Sequence, residues 1–282
     1  MHVVSNDSTL FFKGGERAAV CLIVLAWKAS PKTRLAVAAN RDEFFARRTA
    51  PAAWWADAPD VLAGRDLEAG GTWLGVTRAG RFAALTNFRD ASAPKKDGAP
   101  SRGALAAEFL RGDATAAHYV AAVQPRANRY HGFTVLVSDG AELWSFSNVE
   151  GDPERLGPGV WGLSNHLLET PWPKVTTARS RLEAALGATD GAESLERRLL
   201  SLLEDRTAAP DGALPATGLP PDWERALSAA FVELPIYGTR ASTALVIATD
   251  GTVRFAERSF GKAGALLEEV REVFEVSARP RG

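Results

Sequence analysis

Short apolar runs separated by turn residues recur along the chain. Cys21-Leu22-Ile23-Val24-Leu25-Ala26-Trp27 is the first, and a run of this length predicts a buried strand. Ala29-Ser30-Pro31-Lys32 signals a turn. Arg34 to Asn40 then reads as a second strand, forming a hairpin with the first and leading into Asn40-Arg41-Asp42-Glu43. Pro51 to Asp60 reads as a loop that carries Trp54-Trp55. Gly70-Gly71-Thr72-Trp73-Leu74-Gly75-Val76 leads into a strand, Arg78 to Arg81 turns tightly, and Phe82 to Thr86 returns to end at Asn87. Arg102 to Leu110 and Ala114 to Val123 have helical spacing. Gly132 to Val137 and Ala141 to Phe146 flank Asp139-Gly140, a strong hairpin signal. Gly159 to Asn165 is a short strand, followed by His166 and Pro171-Trp172-Pro173.

Lys174 to Leu186 and Glu193 to Leu203 are amphipathic helices by their apolar spacing. Ala208 to Pro221 is Pro/Gly/Ala-rich and reads as a mobile loop, with a short helix from Asp222 to Ala230. Thr239 to Ile247 and Thr252 to Glu257 form a last hairpin around Asp250-Gly251. Strands come first, helices lie between, and strands return. That order predicts antiparallel sheets with helices in separate layers, not βαβ winding.

Composition narrows the class. The chain has 282 residues, 46% hydrophobic and 24% charged, with formal net charge −1. That is ordinary for a globular protein with a sizeable core. No basic block predicts nucleic acid binding, and no apolar stretch is long enough for a membrane span. A single cysteine forms no internal disulfide, so a cytoplasmic setting is the expectation. The four histidines, His2, His118, His131 and His166, lack metal spacing. Neither a metal nor a cofactor is expected. Serine-elbow, P-loop and dinucleotide fingerprints are missing.

The chemistry centres on Cys21, the only thiol and an intrinsically strong nucleophile. If Cys21 were the first residue of the mature chain, its own α-amine could serve as general base. Met1 to Ala19 lacks the long apolar core of a secretory signal. Val20 could correspond to a bacterial GTG start codon, with Gly14-Gly15-Glu16-Arg17 encoded by a ribosome-binding site. Residues 1–20 are therefore expected to be a spurious or removable extension, and 21–282 a single domain. The competing reading is an ordinary extension before an inert core cysteine.

Three other positions carry candidate roles beside plainer ones. Asp42 ends a strand and either is solvated or faces the nucleophile. Strand alternation then puts Asn40 on the same face and turns Arg41 away. Asn87 caps its own turn or donates to an oxyanion. Arg240 is a surface cap or a cation over a pocket.

Six motifs occur in order: Cys21-Leu22-Ile23-Val24, Ala39 to Phe44, Gly70 to Gly75, Ala84 to Phe88, Gly162 to Trp172, and Tyr237 to Arg240. Together they resemble the NRDE family, also called the transport and Golgi organization 2 family. That family is similar in turn to N-terminal nucleophile hydrolases of the choloylglycine and penicillin V acylase type.

The resemblance implies an αββα sandwich of two antiparallel sheets. It implies Cys21 as nucleophile, Asp42 as the residue holding the nucleophile end, Asn87 as oxyanion donor, Asn165 as a second pocket Asn and Arg240 as a late Arg near the thiol. Asn40, Arg41, Trp73 and His166 are the expected pocket wall. One departure is Ala39, where those hydrolases carry Arg. The function implied is a cysteine amidohydrolase or acyltransferase acting on an unknown small amide, acyl or thioester substrate. The alternative is a carrier or chaperone for haem or an acyl lipid.

Overall fold

The structure, a computed structural model, describes residues 21–94, 96–188 and 191–277. The extension expected at residues 1–20 lies outside them. Strands β1 (Cys21–Ser30) and β2 (Thr33–Phe44) form the first hairpin. β3 (Thr49–Trp55) and β4 (Ala58–Asp66) form the second, through a turn at Ala56-Asp57. This corrects the loop expected over Pro51 to Asp60. Then follow β5 (Leu74–Thr77), β6 (Phe82–Asn87), helices α1 (Gly103–Arg111) and α2 (Ala116–Val123), and strands β7 (Phe133–Ser138), β8 (Leu143–Ser147), β9 (Glu154–Leu156) and β10 (Gly159–Leu163). Helices α3 (Pro173–Gly187), α4 (Ala192–Leu202) and α5 (Pro221–Ala226) precede β11 (Tyr237–Ala248), β12 (Thr252–Phe260) and β13 (Leu266–Glu275). The stretch Ala208 to Pro221 contains a 3₁₀ turn at Asp211–Ala213.

The strands make two antiparallel sheets. The first has the order β10-β1-β2-β11-β12-β13 and the second β3-β4-β5-β6-β7-β8-β9. Three apolar layers hold them. Ile23, Leu25, Trp27, Val37, Leu62, Leu74, Phe82 and Leu136 meet between the sheets. Leu22, Val24, Ala26, Ala36 and Ala38 pack outward on α3 and α4. Val61, Ala83, Val135 and Val137 pack outward on α1 and α2. The result is the expected four-layer αββα sandwich. It also explains why Cys21 to Trp27 is apolar throughout, since β1 is covered on both faces.

Two details tie the layers near the strand ends. A Cβ on Gly71 would meet the Gly103 carbonyl carbon at 2.4 Å, so only glycine lets the β4–β5 connection lie against the start of α1. Across the sandwich, the buried Glu257 carboxylate of β12 accepts the Ala52 N–H of β3 at 2.7 Å and the Thr243 hydroxyl at 3.0 Å. Burial pushes this acid up to about 7, and its two hydrogen bonds and the nearby Arg41 only partly oppose that.

Candidate active site

Cys21 opens β1, and its cross-strand partner is Arg41 of β2. Directly opposed residues project to the same face. Here it is the face of Ile23 and Ala39, which point between the sheets. At the strand ends that space opens into a cleft of about 310 Å³. Cys21, Arg41, Trp73 and Asn87 all line it, with Glu43 and His131. Cys21 and Arg41 come from the first sheet, Asn87 from the end of β6 in the second. The Arg41 guanidinium stacks over Trp73 at 4.5 Å, lies 3.5 Å from Glu43 and donates to Thr49 Oγ1 at 3.1 Å.

Asn165 joins the sheets at this point. Its Oδ1 accepts the Cys21 N–H at 2.8 Å, and its Nδ2 donates to the Asn87 carbonyl at 3.0 Å. Ser164 Oγ donates to the Cys21 carbonyl at 2.7 Å. The loop that carries Asn165 is anchored by Glu169, whose backbone is left-handed (φ 61°). The Glu169 N–H donates to the Gly162 carbonyl at 2.8 Å, and its side chain accepts the Gly162 N–H at 2.5 Å.

β2 alternates without a bulge through Asn40-Arg41-Asp42-Glu43, and this reverses the expected facing. Arg41 and Glu43 enter the cleft, whereas Asn40 and Asp42 lie on the outer face, under the helices. Asn40 Nδ2 donates to the carbonyls of Leu203 (2.9 Å) and Ala230 (2.7 Å), and its Oδ1 accepts from Ser242 at 2.6 Å. It is a pin between sheet and helix layer, not cleft wall. Asp42 Oδ1 accepts the Thr239 hydroxyl at 2.6 Å, while Oδ2 is buried without a hydrogen-bond partner. Its carboxylate and its backbone N–H both act on the Cys21 thiol, the first raising its pKa and the second lowering it.

Arg240 and His166 do not line the cleft. Arg240 is the extra residue at a β11 bulge between Thr239 and Ala241. The bulge turns its guanidinium to the carbonyls of Phe44 (3.0 Å), Arg47 (3.2 Å) and Phe260 (3.2 Å), so it braces the chain after β2. His166 packs its ring against Phe88 and Trp172, and its Nδ1 bonds Thr170 Oγ1 at 2.9 Å.

Burial dominates the electrostatics. The Cys21 thiol is pushed up to about 12, first by desolvation and then by the Asp42 carboxylate; Arg41 and Lys174 pull the other way and lose. Lys174 was not foreseen at the site. It is buried in the first turn of α3, and a lysine in an amphipathic helix reads as solvent-facing. Nor was His131 singled out. Among the described residues no cluster of His, Cys, Asp and Glu could hold a metal, and no helix is long and apolar enough to cross a membrane.

Comparison with known proteins supplies the lineage. The family model described as Transport and Golgi organisation 2 matches residues 20–262. The Transport and Golgi organization protein 2 homolog of Bos taurus is 36% identical over 260 residues, covering 85% of this chain and 93% of the relative. The Homo sapiens homolog is 35% identical over 263 residues, with the same coverage. The Drosophila melanogaster protein is 30% identical over 264 residues, covering 85% and 92%. Among solved structures, the Caenorhabditis elegans ortholog of N-acylethanolamine-hydrolyzing acid amidase aligns with TM-score 0.48 at 13% identity, over 80% of this chain and 92% of that one. With its family model matched from strand β1 to the end of β12, the chain belongs to the Transport and Golgi organisation 2 family.

Proposed function

We propose that this chain is a cysteine N-terminal-nucleophile amidohydrolase or acyltransferase of small polar acyl compounds, working in the cytoplasm after residues 1–20 are absent or removed. The observation that carries the reading is that Cys21 and Asn87 line one strand-end cleft while Asn165, buried behind it, bonds both of them.

The raised thiol supports an amine-assisted route. A thiol at about 12 is almost wholly protonated at neutral pH, so a base must take its proton as it attacks. As a chain terminus, the Cys21 nitrogen would be an amine of pKa about 7.7–8.0 in its unperturbed state, suited to that role. The Cys21 sulfur attacks the substrate carbonyl carbon, and its proton passes to the α-amine. The tetrahedral oxyanion takes hydrogen bonds from the Asn87 carboxamide and a backbone N–H. The C–N or C–S bond then breaks, and the protonated amine returns its proton to the leaving group. Water, or an acceptor amine or thiol, cleaves the Cys21 thioester and restores the thiol. Asn165 Oδ1 holds the nitrogen in place. Asp42, with one oxygen unbonded, is suited to hold an ammonium there.

The charged cleft wall argues against an apolar carrier. With Thr72, Asn87, Ser101 and His131 also polar, the charged Arg41, Glu43, Arg47, Asp66 and Arg102 outweigh the apolar Trp73, Leu85, Ala99 and Pro100, and this favours a polar substrate over haem or an acyl lipid. The test is a panel of N-acyl amides and acyl-thioesters read by mass on the Cys21 peptide. An adduct that forms and turns over is expected. Tight binding of haem or acyl lipid that persists in Cys21→Ser, with no adduct from any substrate, would overturn the proposal.

A further inference from the structure

Behind Cys21, on the face of the first sheet opposite the cleft, the molecule buries a lysine without a partner. Lys174 is 5% exposed, and its Nζ makes no hydrogen bond. Its place is costly on two counts. It sits in the first turn of the 15-residue helix α3, where the helix dipole disfavours a cation. It also takes its charge out of water without a hydrogen-bonded acid. A cavity of about 260 Å³ on the outer side touches the residue, with Arg181 and Asp205 on its rim, but the Nζ atom itself is sealed.

The groups that act on Lys174 define its role. They are Asp42 of β2, Cys21 of β1 and Arg89 after β6. Arg89 is itself buried 3.1 Å from Glu224 of α5 and repels the lysine. Asp42 carries the matching defect, a buried Oδ2 with no hydrogen-bond partner. Two oppositely charged groups thus lie under the same strand end, near each other without a direct bond, and both bear on Cys21.

We propose that Lys174 is a positioning residue of the Cys21 site. Its ammonium favours the Asp42 carboxylate against burial and lowers the proton affinity of the Cys21 end, amine and thiol together. The proposal rests on the reading of Cys21 as nucleophile. An α-amine between an acid and nothing else would stay protonated and could not act as base. A cation beyond the acid cancels that bias. Burial already draws Lys174 below the ordinary ammonium range, and Asp42 opposes this.

Cys21 is the only cysteine, so alkylation by iodoacetamide followed by whole-protein mass reports this thiol alone and needs no substrate. Removing a nearby cation raises the thiol pKa and leaves less thiolate at a given pH. Lys174→Met is expected to slow alkylation about tenfold near pH 7, where Lys174 still carries its proton. Asp42→Asn should speed it at the same pH, and Lys174→Arg should keep the wild-type rate. A folded Lys174→Met chain with the wild-type profile overturns the proposal, as does Lys174→Arg behaving like Met.

The wild-type chain gives an arm that needs no variant. With ¹⁵N-lysine labelling, one Nζ signal should titrate below the ordinary lysine range and shift when Cys21 is alkylated. Lysines that all titrate in the ordinary range overturn the proposal. A chain that shows these shifts but never forms an acyl-enzyme loses the proposed function and keeps Lys174. Turnover with no dependence on Lys174 does the reverse.

Discussion

The two faces of the first sheet at the Cys21 end are built on opposite principles. The cleft face is open and its charges are paired at the surface of a cavity: Arg41 with Glu43, Arg47 with Asp66. The outer face is sealed, and its polar groups are either fully bonded, as Asn40 is, or left short of partners, as Asp42 and Lys174 are. One strand supplies both, because Asn40-Arg41-Asp42-Glu43 alternates between them. The lesson is that a motif of four consecutive polar residues need not be one site. Here Arg41 and Glu43 line the cleft beside the thiol, while Asn40 and Asp42 bond the helix layer and β11 behind it.

The largest effect expected is on the cleft face. Cys21→Ala should lower turnover on the order of 10⁴-fold or more while melting within a few degrees of wild type, checked by steady-state kinetics and calorimetry. Asn87→Ala should cost roughly 10²–10³ in kcat if its carboxamide meets the oxyanion. Equal kcat in the variant would take Asn87 off the cleft chemistry.

On the outer face the loss should appear as stability. Asn40→Ala removes three buried hydrogen bonds and should cost about 2–4 kcal/mol in denaturant unfolding. The Cys21 alkylation profile should keep its midpoint. A shifted midpoint at native stability would break the division of faces.

Glu257 tests the inter-sheet side of the comparison by pH. Its folded pKa of about 7 lies above the ordinary value of 4.5. Stability from this group is present below the unfolded pKa and is lost as pH rises through the folded one. Unfolding free energy should therefore fall between about pH 4.5 and 7, by about 1–3 kcal/mol. Glu257→Gln should lessen that slope, leaving the part that comes from Asp42, which burial also raises to about 7. The smallest effect separates two arginines. Arg41→Met should raise the thiol midpoint by about one unit or less, and Arg240→Met should leave it unmoved, because its guanidinium is spent on the carbonyls after β2.

The legible parts of the fold were those with strong local signals. The hairpins at Asp139-Gly140 and Asp250-Gly251, and the doubly covered β1, follow from turn chemistry and apolar runs. The β3–β4 hairpin was hidden because its turn, Ala56-Asp57, lacks glycine and Pro51 interrupts the run. β13 was hidden because it is an edge strand with exposed Leu266, Leu267 and Val273, so alternation marks no buried face there. At the site, Cys21, Asn87 and Asn165 stand at ends of elements, where motif and geometry coincide. Arg240 was misplaced by a bulge, which sequence does not announce, and Lys174 by its helix, whose spacing does not reveal a buried charge.

In the proposed mechanism Cys21 attacks with its own amine as base. The direct test compares two proteins, one beginning at Cys21 and one retaining residues 1–20, each mixed with the same N-acyl amide and acyl-thioester panel and followed by whole-protein mass. An adduct of one acyl group on Cys21 that forms and clears is expected in the first protein, and no comparable adduct in the second, whose nitrogen is an amide. Equal rates from both proteins, or no adduct from either, would contradict it.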